Sequence, residues 1–202
     1  CDVPETIILA DGDFPSHPLA LEWLRQCPYV VCCDGAANTY IRSGRMPEAI
    51  VGDGDSLLPD IKERYASLIH SEAEQETNDL SKAFRFCLSQ ERKRITIMGA
   101  TGKREDHTIG NVSLLADYME QAEVSMMTDY GIFVPIREDS MFESYIGQQI
   151  SVFNMNSTAL SAEGLAYPLS VFTNWWQGTL NEALARHFII RTEGKVLVFR
   201  VF

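Results

Sequence analysis

Apolar runs alternate with stretches of helical spacing along the first two thirds of the chain. The runs that predict buried strands are 6–10, 29–33, Ala49–Val51, Arg94–Met98 and 123–128. Apolar residues three and four positions apart predict helices over Pro18–Gln26, after the Thr77-Asn78-Asp79 sequence and around residues 112–119. Because strands that alternate with helices need crossover connections, we expect an α/β fold with a mostly parallel sheet covered on both faces.

The pattern changes beyond about residue 130. Helical spacing gives way to short β-forming runs at Gly131–Ile136, 149–153, 188–192 and 195–202. We therefore predict two domains, an α/β domain over residues 1–133 and a small all-β domain over residues 134–202.

A pair of aspartates follows the third predicted strand. The sequence Gly52-Asp53-Gly54-Asp55 places two carboxylates one residue apart, so that both can converge on one point. The glycines leave room for a phosphate close to the backbone, and paired carboxylates suit a hard cation such as Mg²⁺. A solvated acidic turn is the alternative, since Gly and Asp are common turn residues.

Other acidic residues occupy equivalent positions, just after a predicted strand or at the start of the next helix. They are Asp34, Asp79 and Asp106. In open α/β sheets the ligand lies outside the carboxyl ends of the strands, so we expect these acids to meet at one edge of the sheet. Taken singly, each is also a good cap or turn residue. Asp79 suits the first turn of a helix whose N-cap is Thr77 or Asn78.

The glycine-rich turn at residues 99–104 is the natural partner for the acids. A turn of this kind entering a helix offers N–H groups to phosphate oxygens, and Lys103 and Arg104 add positive charge. The spacing does not fit GxxxxGK[ST], which requires Gly in place of Ile97 and Ser or Thr in place of Arg104. It does not fit GxGxxG either, so dinucleotide binding and Walker-type phosphate binding are disfavoured.

Two further classes of acid-rich protein fit less well. Haloacid-dehalogenase-type phosphatases use Asp-x-Asp but expect Thr or Val where this chain has Leu57, and their phosphate-bearing Asp follows the first strand. Nucleotide-sugar glycosyltransferases use Asp-x-Asp for Mn²⁺ but are usually longer than these 202 residues.

Composition narrows the choice of partners. The chain is 46% hydrophobic and 22% charged, as in ordinary soluble globular proteins, and its net charge of -11 disfavours nucleic acid. No apolar run approaches the roughly 20 residues of a membrane-spanning helix. We find no signal peptide, and Cys1 in place of Met indicates a trimmed or missing start.

Cysteine and histidine usage points to a reducing compartment and away from zinc. Five cysteines without a CxxC pair or framework spacing predict reduced thiols in a cytoplasmic protein. The four histidines are scattered without metal-ligand spacing, so a zinc site is disfavoured.

Four motifs together resemble those of one enzyme family. In chain order they are Asp34-Gly-Ala-Ala-Asn38, Gly52-Asp-Gly-Asp-Ser56, Gln75-Glu-Thr-Asn-Asp79-Leu-Ser-Lys82 and Gly99-Ala-Thr-Gly-Lys-Arg-Glu-Asp-His107. Their order and spacing resemble the thiamine pyrophosphokinase (thiamin diphosphokinase) family. The tail segments 164–169 and 179–182 look like the thiamine-binding domain of that family.

The resemblance implies a fold and a reaction. It implies a Rossmann-like α/β/α catalytic domain followed by a β-sandwich that binds thiamine, and a homodimer. It also implies transfer of the pyrophosphoryl group of ATP to the hydroxyl of thiamine, giving thiamine diphosphate and AMP. Such a transfer needs charge neutralisation and in-line positioning more than a strong protein base.

Roles carry over by position. The resemblance implies Mg²⁺ ligands at Asp34, Asp53, Asp55 and Asp79. ATP contacts are implied at Asp34, Gln75, Thr77, Lys82, Arg104, Asp106 and His107, although His107 has an alternative role as a helix cap. The catalytic set is Asp53, Asp55, Asp79 and Arg104, with either Asp55 or Asp79 taking the hydroxyl proton. Thiamine contacts are implied at Tyr167 and Asn181.

The tail departs from the family pattern. Many members carry Trp at the position of Tyr167, and either ring can stack on a cationic thiazolium. The family's Ser-Asn pair is Leu180-Asn181 here, and Trp175-Trp176 provides either stacking surface or dimer core, the second being the safer interpretation from composition. Two alternatives stay open, a related Mg²⁺-dependent phospho- or pyrophosphotransferase with a different acceptor and a non-catalytic thiamine or nucleotide sensor.

Overall fold

The computed structural model describes residues 2–202, which form two compact units. The first contains the chain up to residue 113 together with residues 121–129, and the second contains residues 114–120 and 130–202. The start of the chain at Cys1 lies outside the described residues. The predicted division at 133/134 stays a prediction.

The first unit is built on a parallel six-stranded sheet with order β6-β5-β1-β2-β3-β4. Its strands are β1 (Thr6–Leu9), β2 (Val30–Cys33), β3 (Ala49–Val51), β4 (Ile69–His70), β5 (Arg94–Met98) and β6 (Glu123–Met127). Its helices are α1 (Pro18–Gln26), α2 (Ala36–Arg42), α3 (Pro59–Arg64), α4 (Asp79–Ser89) and α5 (Glu105–Tyr118), the last of which continues into the residues of the second unit.

Burial explains why these segments form a parallel sheet. Every residue of β1, β2 and β3 is buried, as expected of strands with helices on both faces. Local capping fixes where the helices begin. The Asn78 side chain accepts a hydrogen bond from the Ser81 N–H at the start of α4, and Pro18 occupies the first turn of α1.

The strand order places a topological switch beside β1. The chain winds from β1 outward to β4 on one side and then returns to the other side of β1 through β5. The loops that follow β1 and β5 therefore diverge at this point, which is where open α/β sheets form their ligand crevice.

The second unit is a sandwich of two antiparallel sheets. Its strands are β7 (Gly131–Ile136), β8 (Ser140–Glu143), β9 (Gln149–Asn154), β10 (Leu160–Glu163), β11 (Asn181–Glu182), β12 (His187–Thr192) and β13 (Val196–Val201). One sheet has the order β11-β9-β13-β7 and the other β10-β12-β8. Side chains of both sheets share one core, in which the rings of Phe142 and Phe188 stack with centroids 5.2 Å apart.

The predicted fold class is confirmed. The structure adds elements that the apolar pattern does not reveal, namely α2, α3, the two-residue strands β4 and β11, and the strands β8 and β10. Short 3₁₀ helices occur at Ala66–Leu68 and Trp175–Gly178. Cys27, Cys32, Cys33 and Cys87 are free thiols. None of the helices within residues 2–202 has the length and apolar character needed to cross a bilayer.

Candidate active site

A cavity of about 540 Å³ opens at the carboxyl edge of the parallel sheet. Its walls come from the loops after β1 and β5, from the loop before α4, and from the first turns of α4 and α5. Seven of the predicted site residues line it, and they are Asp53, Gln75, Thr77, Asp79, Lys82, Arg104 and His107. Of the five acids expected to meet at this edge of the sheet, Asp53 and Asp79 line the cavity.

A row of neighbouring carboxylates lies at one end of this region. Asp34 is only 5% exposed, and its Oδ1 accepts the Ser56 N–H at 3.2 Å. Its carboxyl also shares a hydrogen bond with Asp53, whose Oδ1 accepts the Asp55 N–H at 2.9 Å. Two carboxyl groups share a hydrogen bond only when a proton lies between them. A cation could take the place of that proton.

The pKa directions of this row follow from burial and hydrogen bonding. Burial is the largest cause that raises the pKa of Asp34, to about 6, and the neighbouring Asp53 adds to it. The pKa of Asp53 is lowered, chiefly because the Asp55 backbone N–H stabilises its carboxylate. The structure thus sets a proton-holding acid beside an ionised one.

Gly52 allows two of these carboxylates to approach the same point. A Cβ atom at Gly52 would lie 3.3 Å from Oδ2 of both Asp34 and Asp79. The φ angle of Gly52 is +139°, which disfavours any other residue. Gly52 therefore permits the two carboxylates to approach the same point, because it can adopt this φ angle and has no side chain.

Asp79 and Lys82 project from the first turn of α4 into the cavity. Burial raises the pKa of Asp79, and the charge of Lys82 opposes that rise. Lys82 is itself buried, and it lines the cavity together with Asp79. Asn78 extends this wall, because its Nδ2 donates to Asn111 Oδ1 on α5 at 3.1 Å.

The opposite wall is the glycine-rich turn after β5. Gly12 packs so tightly against this turn that a Cβ there would collide with the carbonyl oxygens of Gly99 and Thr101. Lys103 adopts a φ of +56° and its Nζ donates to the Asp11 carbonyl oxygen at 3.1 Å. Arg104 pairs with the Asp106 carboxylate at 2.7 Å, and this pair is exposed. The turn therefore presents two cations to the cavity.

Three of the predicted site residues in the first unit, Asp34, Asp55 and Asp106, do not line the cavity. Asp34 is buried and hydrogen-bonded to Asp53, Asp55 is exposed, and Asp106 accepts hydrogen bonds from the exposed Arg104. The Thr77 hydroxyl donates to Glu74 Oε2 at 2.6 Å, so its proton is already engaged. Thr77 thus shapes the wall without a free hydroxyl proton to offer.

The predicted thiamine residues lie in the second unit and contact one another. Asn181 is 5% exposed, and its amide accepts the Tyr167 N–H at 3.1 Å and donates to the Tyr167 carbonyl oxygen at 2.9 Å. The side chain of Tyr167 is 61% exposed. Asn181 therefore holds the backbone of Tyr167 and leaves the ring open to solvent. Trp175 and Trp176 are exposed too, so neither belongs to the core of this unit.

Sequence reasoning missed several residues of the cavity, above all Asp11. Asp11 follows β1, the strand at the topological switch, and its carboxylate lies 3.6 Å from Lys103 Nζ. Burial raises the pKa of Asp11 and Lys103 opposes the rise. The signal was present, because Asp11 is the second residue after β1, just as Asp53 is the second residue after β3. Glu72, Asn78 and Asn111 carried no such signal, since each depends on how its loop or helix packs.

Within residues 2–202, no three His, Cys, Asp or Glu side chains are arranged so that they alone could hold a metal ion. The donor set nevertheless suits a hard divalent cation. The carboxyl groups of Asp34 and Asp53 are hydrogen-bonded to each other, and Oδ2 of Asp34 and Oδ2 of Asp79 both lie close to Gly52. A site of this kind would be completed by oxygen ligands from a bound molecule.

The fold and the cavity define the class of open α/β proteins whose ligand crevice lies at the carboxyl edge of a parallel sheet. Residues 20–127 match the family model described as "Thiamin pyrophosphokinase, catalytic domain", and residues 131–199 match "Thiamin pyrophosphokinase, substrate-binding domain". Because the first match alone covers more than half of the chain, the chain belongs to the thiamin pyrophosphokinase family.

Curated relatives agree with this assignment. The chain is 30% identical over 129 residues to thiamine pyrophosphokinase 1 of Oryza sativa subsp. japonica, which covers 52% of this chain and 49% of that protein. It is 34% identical over 86 residues to thiamine pyrophosphokinase of Bacillus subtilis (strain 168), covering 41% of this chain and 40% of that protein. The chain thus spans about half the length of the curated relatives it matches.

Solved structures show the same fold over nearly the whole chain. The thiamine pyrophosphokinase of Bacillus subtilis superposes with a TM-score of 0.80 at 20% identity, covering 97% of this chain and 98% of that one. The thiamin pyrophosphokinase of Candida albicans gives 0.79 at 18% identity, covering 98% and 89%. These likenesses establish the two-part architecture.

Proposed function

We propose that the chain is a thiamine pyrophosphokinase, which transfers the pyrophosphoryl group of ATP to the hydroxyl of thiamine and releases AMP. The observation that carries this proposal is the cavity itself. It gathers carboxylates, two lysines and an arginine from separate loops at the switch point of a parallel sheet. The names of the curated relatives support the choice of ATP and thiamine as substrates.

The cations of the cavity are the proposed triphosphate site. Lys82, Lys103 and Arg104 approach it from two walls, and the N–H groups of the glycine-rich turn lie on the same side as Lys103 and Arg104. Their charges would offset those of a bound triphosphate inside a chain whose net charge is -11. Gln75 and His107 complete the proposed ATP site as polar contacts.

The carboxylates are the proposed Mg²⁺ ligands. Asp34, Asp53, Asp55 and Asp79 supply oxygen donors, and the newly recognised Asp11 lies on the same edge of the sheet. When bound, Mg²⁺ would neutralise phosphate charge and polarise the β-phosphorus.

The chemistry left to the protein is positioning and proton transfer. The thiamine hydroxyl oxygen forms a bond to the β-phosphorus, the bond from that phosphorus to the bridging oxygen breaks, and AMP leaves with the electron pair. The hydroxyl proton passes to a carboxylate. Asp79 suits this role because it lines the cavity and burial raises its pKa, whereas Asp55 is exposed and does not line the cavity. Arg104 would stabilise charge on the transferred group.

Thiamine is proposed to contact Tyr167 in the β-sandwich. The exposed ring can stack on a cationic heterocycle, and Asn181 fixes the backbone that carries it. We further infer a homodimer, a functional division of the chain at 133/134, and a cytoplasmic location. The free thiols of the described cysteines support the last of these.

The test is an assay with ATP, Mg²⁺ and thiamine that follows both products. We expect AMP and thiamine diphosphate in equal amounts, and only when all three are present. Asp53→Asn should lower turnover by about a hundredfold or more, because the variant loses the carboxylate that contacts both Asp34 and the Asp55 N–H. The matched control is Asp60→Asn, an exposed aspartate in the first turn of α3, which should keep wild-type turnover.

Several outcomes would contradict the proposal. AMP or ADP formed without thiamine consumption would leave a transferase with another acceptor. A folded protein that binds its ligands but forms no product would be a sensor. Wild-type turnover by a folded Asp53→Asn protein would show that the reaction does not need the Asp53 carboxylate.

A further inference from the structure

One wall of the cavity is the loop at residues 71–78, which joins β4 to α4. Three of its side chains, Glu72, Gln75 and Thr77, line the cavity. All eight residues of the loop are exposed, so packing does little to hold the loop in place. Its position must therefore come from polar contacts.

Those contacts converge on Arg85. From α4, Arg85 Nη2 donates to Glu72 Oε2 at 2.6 Å, to Glu74 Oε2 at 3.0 Å and to Thr77 Oγ1 at 3.0 Å. Glu74 also accepts the Thr77 N–H at 2.7 Å. We call this group of four residues, Arg85, Glu72, Glu74 and Thr77, the Arg85 clamp.

The helix that carries Arg85, α4, is held in place by buried side chains. Leu80, Ala83 and Phe84 of α4 are buried, so the helix that carries Arg85 is fixed to the unit. The side chain of Arg85 is 40% exposed, which gives each ion pair only modest strength. A single guanidinium that joins two carboxylates and a hydroxyl of one loop forms a network, and networks hold geometry better than isolated pairs do.

The clamp also offsets negative charge on the loop that lines the cavity. The loop carries Glu72, Glu74 and Glu76 within five residues, beside a site proposed to bind a polyanion. Arg85 pairs with the first two of these carboxylates. Without that pairing, the loop would be free to move and its negative charges would face the phosphates.

We propose that Arg85 is a positioning residue, which holds the 71–78 loop as a wall of the cavity so that Gln75 faces a bound nucleoside triphosphate. Arg85 does not itself line the cavity, and it acts through Glu72, Glu74 and Thr77. The identity of the ligand rests on the proposed function, whereas the ordering of the loop does not.

The test is Arg85→Gln, examined first by limited proteolysis with subtilisin in the absence of ligands. We expect cleavage within residues 71–78, mapped by mass spectrometry, to be about tenfold faster than in the wild type. The matched control is Arg94→Gln. Arg94 also pairs with two glutamates, Glu5 and Glu123, but lies at the opposite end of its strand from the cavity. Its loss should leave cleavage of the loop unchanged.

Kinetics separate positioning from catalysis. Arg85→Gln should raise the KM for ATP by roughly three- to tenfold and leave kcat and the KM for thiamine nearly unchanged, since a loosened wall weakens ground-state binding. The double variant Glu72→Gln/Glu74→Gln should loosen the loop to a similar extent. Adding Arg85→Gln to it should change little, because all three substitutions break the same network.

The outcomes that overturn the proposal are distinct from failure of the proposed function. Wild-type cleavage of the loop in Arg85→Gln would show that the clamp does not hold it. A loosened loop with an unchanged affinity for ATP would show that the wall does not matter for binding. Should the wild type fail to turn over thiamine, proteolysis and direct titration with ATP still decide whether Arg85 positions the loop.

Discussion

Asp34 shows how a single residue is placed under strain at the candidate site. It is a buried acid whose φ angle of +37° lies in the left-handed region, and its carboxyl lies against that of Asp53. Strain of this kind persists only where the surrounding structure enforces it. Burial beside a second carboxyl adds a separate cost, that of ionising Asp34, which should lower the stability of the protein when no cation is present.

The pH dependence of that cost has a definite sign. The pKa of Asp34 is raised to about 6, above its ordinary value of 3.8, so the folded state holds the proton more tightly than the unfolded state. Its contribution to stability is complete below about pH 3.8 and is lost as the pH rises through about 6. Asp34→Asn cannot ionise, and its amide oxygen can still accept the Ser56 N–H.

We expect Asp34→Asn to be more stable than the wild type at pH 7.5 by roughly 1–2 kcal/mol in EDTA, with the difference vanishing near pH 4. Urea denaturation at both pH values measures this. A variant that is less stable than the wild type at pH 7.5 would show that the carboxylate of Asp34 is well solvated or well paired in the folded state.

At the level of elements, one buried side chain joins β11 to the distant segment that contains Tyr167. The Asn181 amide makes two hydrogen bonds to the backbone of Tyr167, and its Oδ1 also accepts the Glu182 N–H at 2.9 Å. Asn181→Ala removes three hydrogen bonds and leaves part-buried backbone groups of Tyr167 and Glu182 without these partners. Such losses cost about 1–3 kcal/mol each at most, and less where water can enter.

Asn181→Ala should therefore lower the free energy of unfolding and also raise the KM for thiamine, because the Tyr167 ring loses its fixed position. Asn181→Asp is the matched variant, since it keeps the acceptor oxygen and replaces the Nδ2 donor to the Tyr167 carbonyl by a charged carboxylate oxygen. We expect it to fall between the wild type and Asn181→Ala in both measurements. Reduced stability with an unchanged KM for thiamine would separate Asn181 and Tyr167 from the acceptor site.

The elements that could be predicted from the sequence are those that the apolar pattern alone determines. β1, β2, β3 and β5 are buried on both faces, so their sequences are nearly continuous apolar runs. α2 was not assigned because its seven residues, which follow β2 after two intervening residues, are too few to establish helical spacing. β11 was missed because two residues, Asn181 and Glu182, pair with β9 without any hydrophobic signal.

The candidate site was predictable to the extent that it depends on strand ends. Asp53, Asp79 and Lys82 reach the cavity because the topology of parallel strands brings loop positions together. The Arg85 clamp could not be predicted, since nothing in the sequence says which of the loop's glutamates an arginine on α4 will reach. The same holds for Asn111, whose amide donates to the Ala100 carbonyl oxygen at 2.9 Å across two elements.

For the whole molecule, the central claim is that the β- and γ-phosphates of ATP move together onto thiamine. The most direct measurement uses ATP labelled with ³²P at either the α- or the γ-phosphate, with Mg²⁺ and thiamine, and separates the products. The account predicts that γ-label appears in thiamine diphosphate and α-label only in AMP, at equal rates. Label appearing as ADP with thiamine monophosphate, or as free phosphate with thiamine unchanged, would contradict it.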